Sequence, residues 1–237
     1  AYLCSNVSFY FLKALAPTVN FQVGDLARIP LPDLNIEEKN NVNYLSRCCV
    51  DIVKESWDSS ELSWNFKKQN VMSWKNLSFS DAVANFLNYQ FKKRELLRSY
   101  EEQINLIMIN NFELKDEVSK TVLDRDLSLD ISSEKKVCKD FISYSVGCIF
   151  GRYSIDKEGL LISNQGEKLK DFFNKVPKPT FIPDEDNIVP VLQLDWFEDD
   201  ITARFKRFLR ITFGDENFEK NISYIETIMG KDIRKYF

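Results

Sequence analysis

Apolar residues recur every three or four positions along most of this 237-residue chain. That spacing places them on one face of an α-helix, and capping residues mark where such helices begin and end. Helices are predicted over residues 1–16, from Asn35, from Ser80, from Ser133, from about Glu198 to Phe213 and from about Asn217 to Met229. Gly214 and Gly230 follow the last two helices, at positions where glycine commonly ends a helix. The pattern therefore predicts a mainly α fold.

The two longest predicted helices begin at Asn35 and Ser80. Glu37 and Glu38 lie in the first turn of one of them, where a negative charge suits the helix dipole. The other continues for about thirty residues, which at ~1.5 Å per residue makes a rod of ~45 Å. Because both helices are amphipathic, we expect them to pack side by side.

Two short segments have the pattern of strands. Residues 19–23, VNFQV, precede a Gly24-Asp25 turn and an elbow at Pro30-x-Pro32. Residues 153–163 have the pattern of a small hairpin that turns at residues 157–159. The predicted fold class is therefore mainly α with a small β component.

The absence of histidine excludes several kinds of active site. A Ser-His-Asp or Cys-His nucleophile is impossible, and no Cys-x-x-Cys spacing supports a zinc site. The five cysteines, an odd number without Cys-x-x-Cys spacing, indicate a reduced, cytoplasmic protein. The most apolar run of the sequence is too short for a membrane span. No phosphate-binding glycine loop occurs, so we interpret Gly147 and Gly151 as sites of close helix packing.

Two clusters of acidic residues resemble metal-binding sites in composition, but we do not interpret either of them as such a site. Residues 124–130 have the alternate spacing of a calcium loop, but Leu129 and Lys135 stand where that loop requires glycine and glutamate. Residues 181–200 hold seven acids and no lysine or arginine. A metal or nuclease centre is conceivable there, but we favour acids in a loop and in the first turn of a helix. The sequence predicts no catalytic and no metal-binding residue.

One region is locally basic in a chain whose formal charge is −4. Residues 61–100 hold seven basic and three acidic side chains. Four of the basic residues lie on the second long helix, namely Lys92, Lys93, Arg94 and Arg98. Arg94 and Arg98 are four residues apart and should share one side of that helix, flanked by the two lysines. A solvated helix face is the alternative to a binding surface.

Five blocks of the sequence together resemble the carboxyl-terminal half of the large adenine-specific DNA methyltransferases of bacterial BREX phage-exclusion systems, the PglX family. The blocks are PTVNFQVGDLARIPLP, EEQINLIMINNFELKDEV, CKDFISYSVGCIFGRYSIDKEGL, DNIVPVLQLDWFEDDITARFKRFLRITFGDENFEKNISYIE and GKDIRKYF. They span nearly the whole chain in the order of the family. The chain also begins in mid-pattern without methionine, so we expect a fragment of a longer protein.

The resemblance implies a division into three parts and a role beside DNA. Residues 1–34 would end a target-recognition domain, residues 35–130 would form a helical spacer, and residues 131–237 a smaller, truncated helical domain. Double-stranded DNA, bound through the parent enzyme, is the implied partner. The candidate DNA contacts are Arg28, Lys67, Lys68, Lys92, Lys93, Arg94 and Arg98.

The catalytic motifs of the family are missing from this chain. It contains neither an Asn-Pro-Pro-Tyr-type motif nor a glycine-containing loop for S-adenosylmethionine. We therefore expect no catalytic residue and no cofactor in this fragment, although the resemblance implies S-adenosylmethionine in the parent. The alternative function is an interaction module, in which the acidic, aromatic second half docks other defence-system proteins.

Overall fold

A computed structural model describes residues 1–16, 20–192 and 197–237. Within these ranges the helices are α1 (Asn6–Leu15), α2 (Val23–Leu26), α3 (Ile36–Asp58), α4 (Phe79–Asn111), α5 (Glu134–Ile149), α6 (Leu169–Lys175), α7 (Ile201–Phe213), α8 (Phe218–Met229) and α9 (Ile233–Tyr236). Short 3₁₀ helices cover Tyr2–Cys4, Asn70–Trp74, Asp124–Asp126 and Asp215–Asn217. The prediction of a mainly α fold is confirmed.

The predicted β component is wrong for the described residues, which contain no strand. Asp25 accepts a hydrogen bond from the backbone N–H of Gln22 and so caps α2, where a turn after a strand was expected. Val19, the first residue of the predicted strand, lies outside the described ranges. In the predicted hairpin, the N–H of Gly159 bonds to the carbonyl of Lys67, outside the segment. The N–H of Gly159 is therefore not available to the predicted ladder.

Helix caps account for most of the predicted boundaries. Asn35 and Glu38 exchange side-chain to backbone hydrogen bonds of 2.9 and 3.0 Å, which start α3 as predicted. Ser133 caps α5, also as predicted. The predicted start of α4 at Ser80 is wrong by two residues, because the hydroxyl of Ser78 accepts from the N–H of Asp81 and caps the helix.

The chain divides into two compact units. Unit 1 comprises Ala1–Glu55 and Phe91–Asp130, and unit 2 comprises Ser56–Gln90 and Ile131–Phe237. The change of unit after Asp130 falls at the predicted limit between spacer and second domain, whereas residues 56–90 of the predicted spacer belong to unit 2. The functional division of the chain stays a prediction.

In unit 1, α3 and α4 pack side by side, as expected. Val42 and Leu45 of α3 share a buried cluster with Ile104 and Met108 of α4. Ile52, further along α3, shares another cluster with α4 and with residues 122–129. Since residues further along α3 meet residues earlier in α4, the two helices run antiparallel.

In unit 2 an aromatic core lies between α5, α7 and α8. Phe141 of α5 is fully buried, and its ring lies within 4.7–6.2 Å, centroid to centroid, of four other phenylalanine rings. Gly147, further along α5, allows the ring of Tyr153 to pack directly on the helix. The interpretation of Gly147 as a packing residue is confirmed.

Replacing Gly147 by alanine is expected to lower the free energy of unfolding by about 1–3 kcal/mol, because it overpacks the core. The added Cβ would lie 2.5 Å from Cδ2 of Tyr153. That ring is held by Tyr144 and Phe66, at centroid distances of 5.2 and 5.3 Å, and cannot swing away freely. Urea denaturation measures the effect. Gly24→Ala is the control, because its Cβ meets nothing within 4 Å and the variant should unfold like the wild type.

Candidate nucleic-acid interface

Arg94 is the most constrained of the predicted DNA contacts. Its Nε donates to the carbonyl of Leu129 at 3.0 Å and its Nη2 to the carbonyl of Asp124 at 2.9 Å. Its Nη1 donates to Oδ1 of Asp124 at 2.8 Å. Only 13% of the side chain is exposed. Arg94 therefore fastens the segment around residues 124–129 to α4.

Arg98 lies one turn further along α4 and shares the same carboxylate. Its Nη2 donates to Oδ1 of Asp124, and Glu95 lies 3.5 Å away. The prediction that Arg94 and Arg98 share one side of the helix is confirmed. Hydrogen bonding and charge from Arg94, with the charge of Arg98, hold the pKa of Asp124 below its usual value. The ionised carboxylate thus stabilises the network at neutral pH, and this contribution is lost only as the pH falls through the lowered pKa.

Two further side chains of α4 continue this face and hold the extended segment that precedes Asp124. Glu102 accepts from the N–H of Val122 at 3.2 Å, and Asn105 donates to the carbonyl of Lys120 at 3.0 Å. The sequence interpretation missed both residues. Their spacing from Arg94 and Arg98 placed them on the same helical face, but nothing in the sequence indicated that a backbone segment would lie along it.

Two of the predicted lysines also form ion pairs within their own units. In unit 1, Nζ of Lys93 lies 2.8 Å from Glu55. In unit 2, Nζ of Lys68 lies 2.9 Å from Glu158, and this contact lowers the pKa of Glu158. Both pairs are partly exposed, so their net contribution to stability is small.

Arg28, Lys67 and Lys92 are exposed, and none of them makes an ion pair within the part of the chain that the structure describes. Arg28 and Lys92 belong to unit 1, and Lys67 belongs to unit 2. Among the seven candidates, these three make no direct contact with an acid of the described residues, although the charge of Lys67 is one of the causes that lower the pKa of Glu158. The seven predicted DNA contacts all stay predictions, but they fall into a paired and an unpaired group.

The acidic segment of unit 2 makes internal contacts. Asp184 is buried and pairs with Arg204 of α7. Asp200 is buried, caps α7 through the N–H of Ala203 and pairs with Arg234 of α9. The acid at position 195 lies outside the described residues. The arrangement fits the favoured interpretation of loop and helix-start acids, and the described ranges contain no cluster of His, Cys, Asp or Glu suited to a metal ion.

All five cysteines have free thiols. Two of them, Cys138 and Cys148, are buried in α5, where burial raises the pKa of Cys138 to about 12 and that of Cys148 still further. Such thiols are poor nucleophiles at neutral pH.

Among the described residues, no helix is both long and apolar enough to cross a membrane.

Two adenine-specific methyltransferases are similar to the chain along nearly its whole length. No protein-family model matches the chain. The adenine-specific methyltransferase PglX of Lacticaseibacillus casei (strain Zhang) is 32% identical over 238 residues, covering 98% of the chain. The adenine-specific methyltransferase BrxX of Escherichia coli O9:H4 (strain HS) is 32% identical over 248 residues, covering 94% of the chain. The chain spans 19% of the length of each of these relatives. It is therefore related, along nearly its whole length, to one segment of the PglX-type adenine-specific methyltransferases.

Proposed function

We propose that this chain is a non-catalytic segment of a site-specific adenine DNA methyltransferase acting in the cytoplasm in phage defence or restriction-modification. In this role it contributes to DNA positioning and target recognition and provides a helical scaffold, while S-adenosylmethionine binding involves other parts of the enzyme. The similarity to PglX and BrxX over more than nine-tenths of the chain supports the assignment to such an enzyme. The two antiparallel helices of unit 1 suit a scaffold, because a packed helix pair keeps a fixed geometry.

The observation that carries the DNA role is the set of exposed, unpaired cations Arg28, Lys67 and Lys92. Phosphate contacts position a protein on duplex DNA without reading its sequence. A lysine or arginine already neutralised by an internal carboxylate contributes less to such contacts, because the carboxylate must first be displaced. The unpaired group should therefore account for most of the sequence-independent affinity.

Changing Arg28, Lys67 and Lys92 together to glutamine is expected to weaken binding to duplex DNA of any sequence. Each phosphate that the variant no longer neutralises should flatten the slope of log affinity against log salt by about 0.9, or about two to three units in all. Fluorescence anisotropy with a labelled duplex, measured over a range of salt concentrations, gives both quantities. Any preference for duplexes that contain the target sequence of the enzyme over duplexes that lack it should survive, because phosphate contacts do not read bases.

The matched control removes the same charge from exposed lysines of unit 1 that were not predicted to contact DNA, namely Lys39, Lys54 and Lys115. It should leave the salt slope near the wild-type value. An equal weakening of binding in both triple variants would show that only net charge matters and would argue against phosphate contacts at the three predicted residues.

A second candidate function is protein docking, favoured by exposed apolar side chains in unit 2. Trp64 is 99% exposed, and Leu62 and Trp57 are also largely exposed. The loop that carries Trp64 is fixed by hydrogen bonds from Ser63 and Asn65 to Asp58. An exposed tryptophan on a loop that is fixed by hydrogen bonds suits a protein interface. If the wild-type chain binds no duplex even at low salt, docking of other defence-system proteins becomes the better account of unit 2.

A further inference from the structure

Two guanidinium groups of unit 1 converge on a single exposed carboxylate. Arg94 and Arg98 both hydrogen-bond to Oδ1 of Asp124, whose side chain is 74% exposed. Nε of Arg98 is buried and has no hydrogen-bond partner within the described residues. One buried donor of the pair is thus unused, and the carboxylate that the two guanidinium groups share can be reached by solvent.

The position of Arg94 does not depend on that carboxylate. Its Nε and Nη2 are held by the main-chain carbonyls of Leu129 and Asp124, which are neutral acceptors and leave its positive charge in place. The segment that supplies these carbonyls is anchored separately, because Val122, Leu127 and Leu129 are buried against α3 and α4. Removing the carboxylate alone would therefore leave Arg94 in place with its charge, beside Arg98, which keeps its 3.5 Å contact with Glu95.

We infer that the carboxylate of Asp124 occupies the place at which Arg94 and Arg98 would bind a DNA phosphate, and that it acts as an internal competitor for that site. A phosphate suits the same geometry, because guanidinium groups bind its oxygens as they bind those of a carboxylate. The inference rests on the proposed DNA-positioning function and concerns the regulation of that surface. Under this inference, Arg94 and Arg98 bind a DNA phosphate only after the carboxylate of Asp124 has been displaced.

Asp124→Asn provides the test, because it keeps the size of the side chain and removes only the competing charge. Affinity for duplex DNA should rise about tenfold at low salt, the increase expected from a charged hydrogen-bonding contact. The salt slope should steepen by about one unit, because one further phosphate is bound. Asp126→Asn is the matched control: it removes the same charge from the same 3₁₀ helix, at a residue whose ion pair is a 3.8 Å contact with Arg125.

The double variant Asp124→Asn, Arg98→Gln separates the arginine site from general charge effects. It should abolish the increase in affinity and return the salt slope to the wild-type value. Circular dichroism and melting temperature check that each variant folds, and Asp124→Ser serves as a second neutral variant. Equal increases in affinity for Asp124→Asn and Asp126→Asn would overturn the inference while leaving the DNA role intact. Absence of duplex binding by the wild type and all variants would overturn both.

Discussion

Replacing Arg234 by methionine is expected to lower the free energy of unfolding by about 3–5 kcal/mol, the cost of breaking a buried ion pair from one side. The side chain of Asp200 is 0% exposed, and its Oδ2 accepts from Nη1 of Arg234 at 2.5 Å. Its other oxygen accepts from the N–H of Ala203 at 2.6 Å. Without the guanidinium, the buried carboxylate would keep, among the side-chain contacts of the described residues, the helix cap at Ala203. Guanidinium chloride denaturation measures the decrease in stability.

Two further variants determine whether the buried charge is the cause. Lys235→Met changes the neighbouring exposed cation of α9 and should leave stability nearly unchanged. The double variant Asp200→Asn, Arg234→Met should recover most of the stability, because asparagine keeps the helix cap and removes the buried charge. If the double variant is no more stable than Arg234→Met alone, packing of the arginine stem and not the ion pair is the main contribution.

Replacing Phe141 by alanine is expected to cost about 3–5 kcal/mol, because the surrounding rings cannot close the cavity completely. Phe141 is 0% exposed, and its nearest ring neighbours are Phe79 at 4.7 Å and Phe213 at 5.6 Å. Thermal and urea denaturation should both report the destabilisation.

Phe91→Ala makes the same truncation at a position that is 51% exposed and should have a much smaller effect. Phe141→Leu, which leaves a smaller cavity, should fall between the alanine variant and the wild type. A destabilisation below about 1 kcal/mol for Phe141→Ala, well under the usual cost of such a truncation, would mean that the aromatic core repacks more freely than its close ring contacts indicate.

The structure changes which experiments can test a DNA role. Arg94 and Arg98 formed the centre of the basic region in the sequence, but both are bonded to Asp124. Charge reversal at these positions would place new carboxylates beside Asp124 and the carbonyls that Arg94 binds, so a loss of DNA binding would not distinguish phosphate contact from a local structural change. Lys92 lies on the same helix, is exposed and has no ion pair among the described residues, so its substitution tests phosphate contact more directly.

The sequence by itself showed the relationship to the methyltransferases, through the resemblance of five blocks to that family. It also determined the helical content and most of the helix boundaries, which depend on local properties, namely apolar spacing, capping side chains such as Asn35 and Ser133, and glycines such as Gly214 that end helices. Local rules predict them because neighbouring residues contribute the interactions. The predicted hairpin over residues 153–163 is wrong because a residue distant in the sequence contributes to its backbone bonding. The N–H of Gly159 bonds to the carbonyl of Lys67.

Only the tertiary structure decided the state of each charged residue. Whether a basic side chain is available to a partner depends on which acid lies beside it, and Arg94 is paired with an aspartate 30 positions away. The same holds for Asp200, whose partner Arg234 is 34 positions distant. No periodicity or spacing encodes such pairs, because they arise when separate elements pack. The sequence could therefore indicate a basic region, and the fold divided it into cations bonded to acids, such as Arg94 and Lys93, and exposed cations such as Lys92.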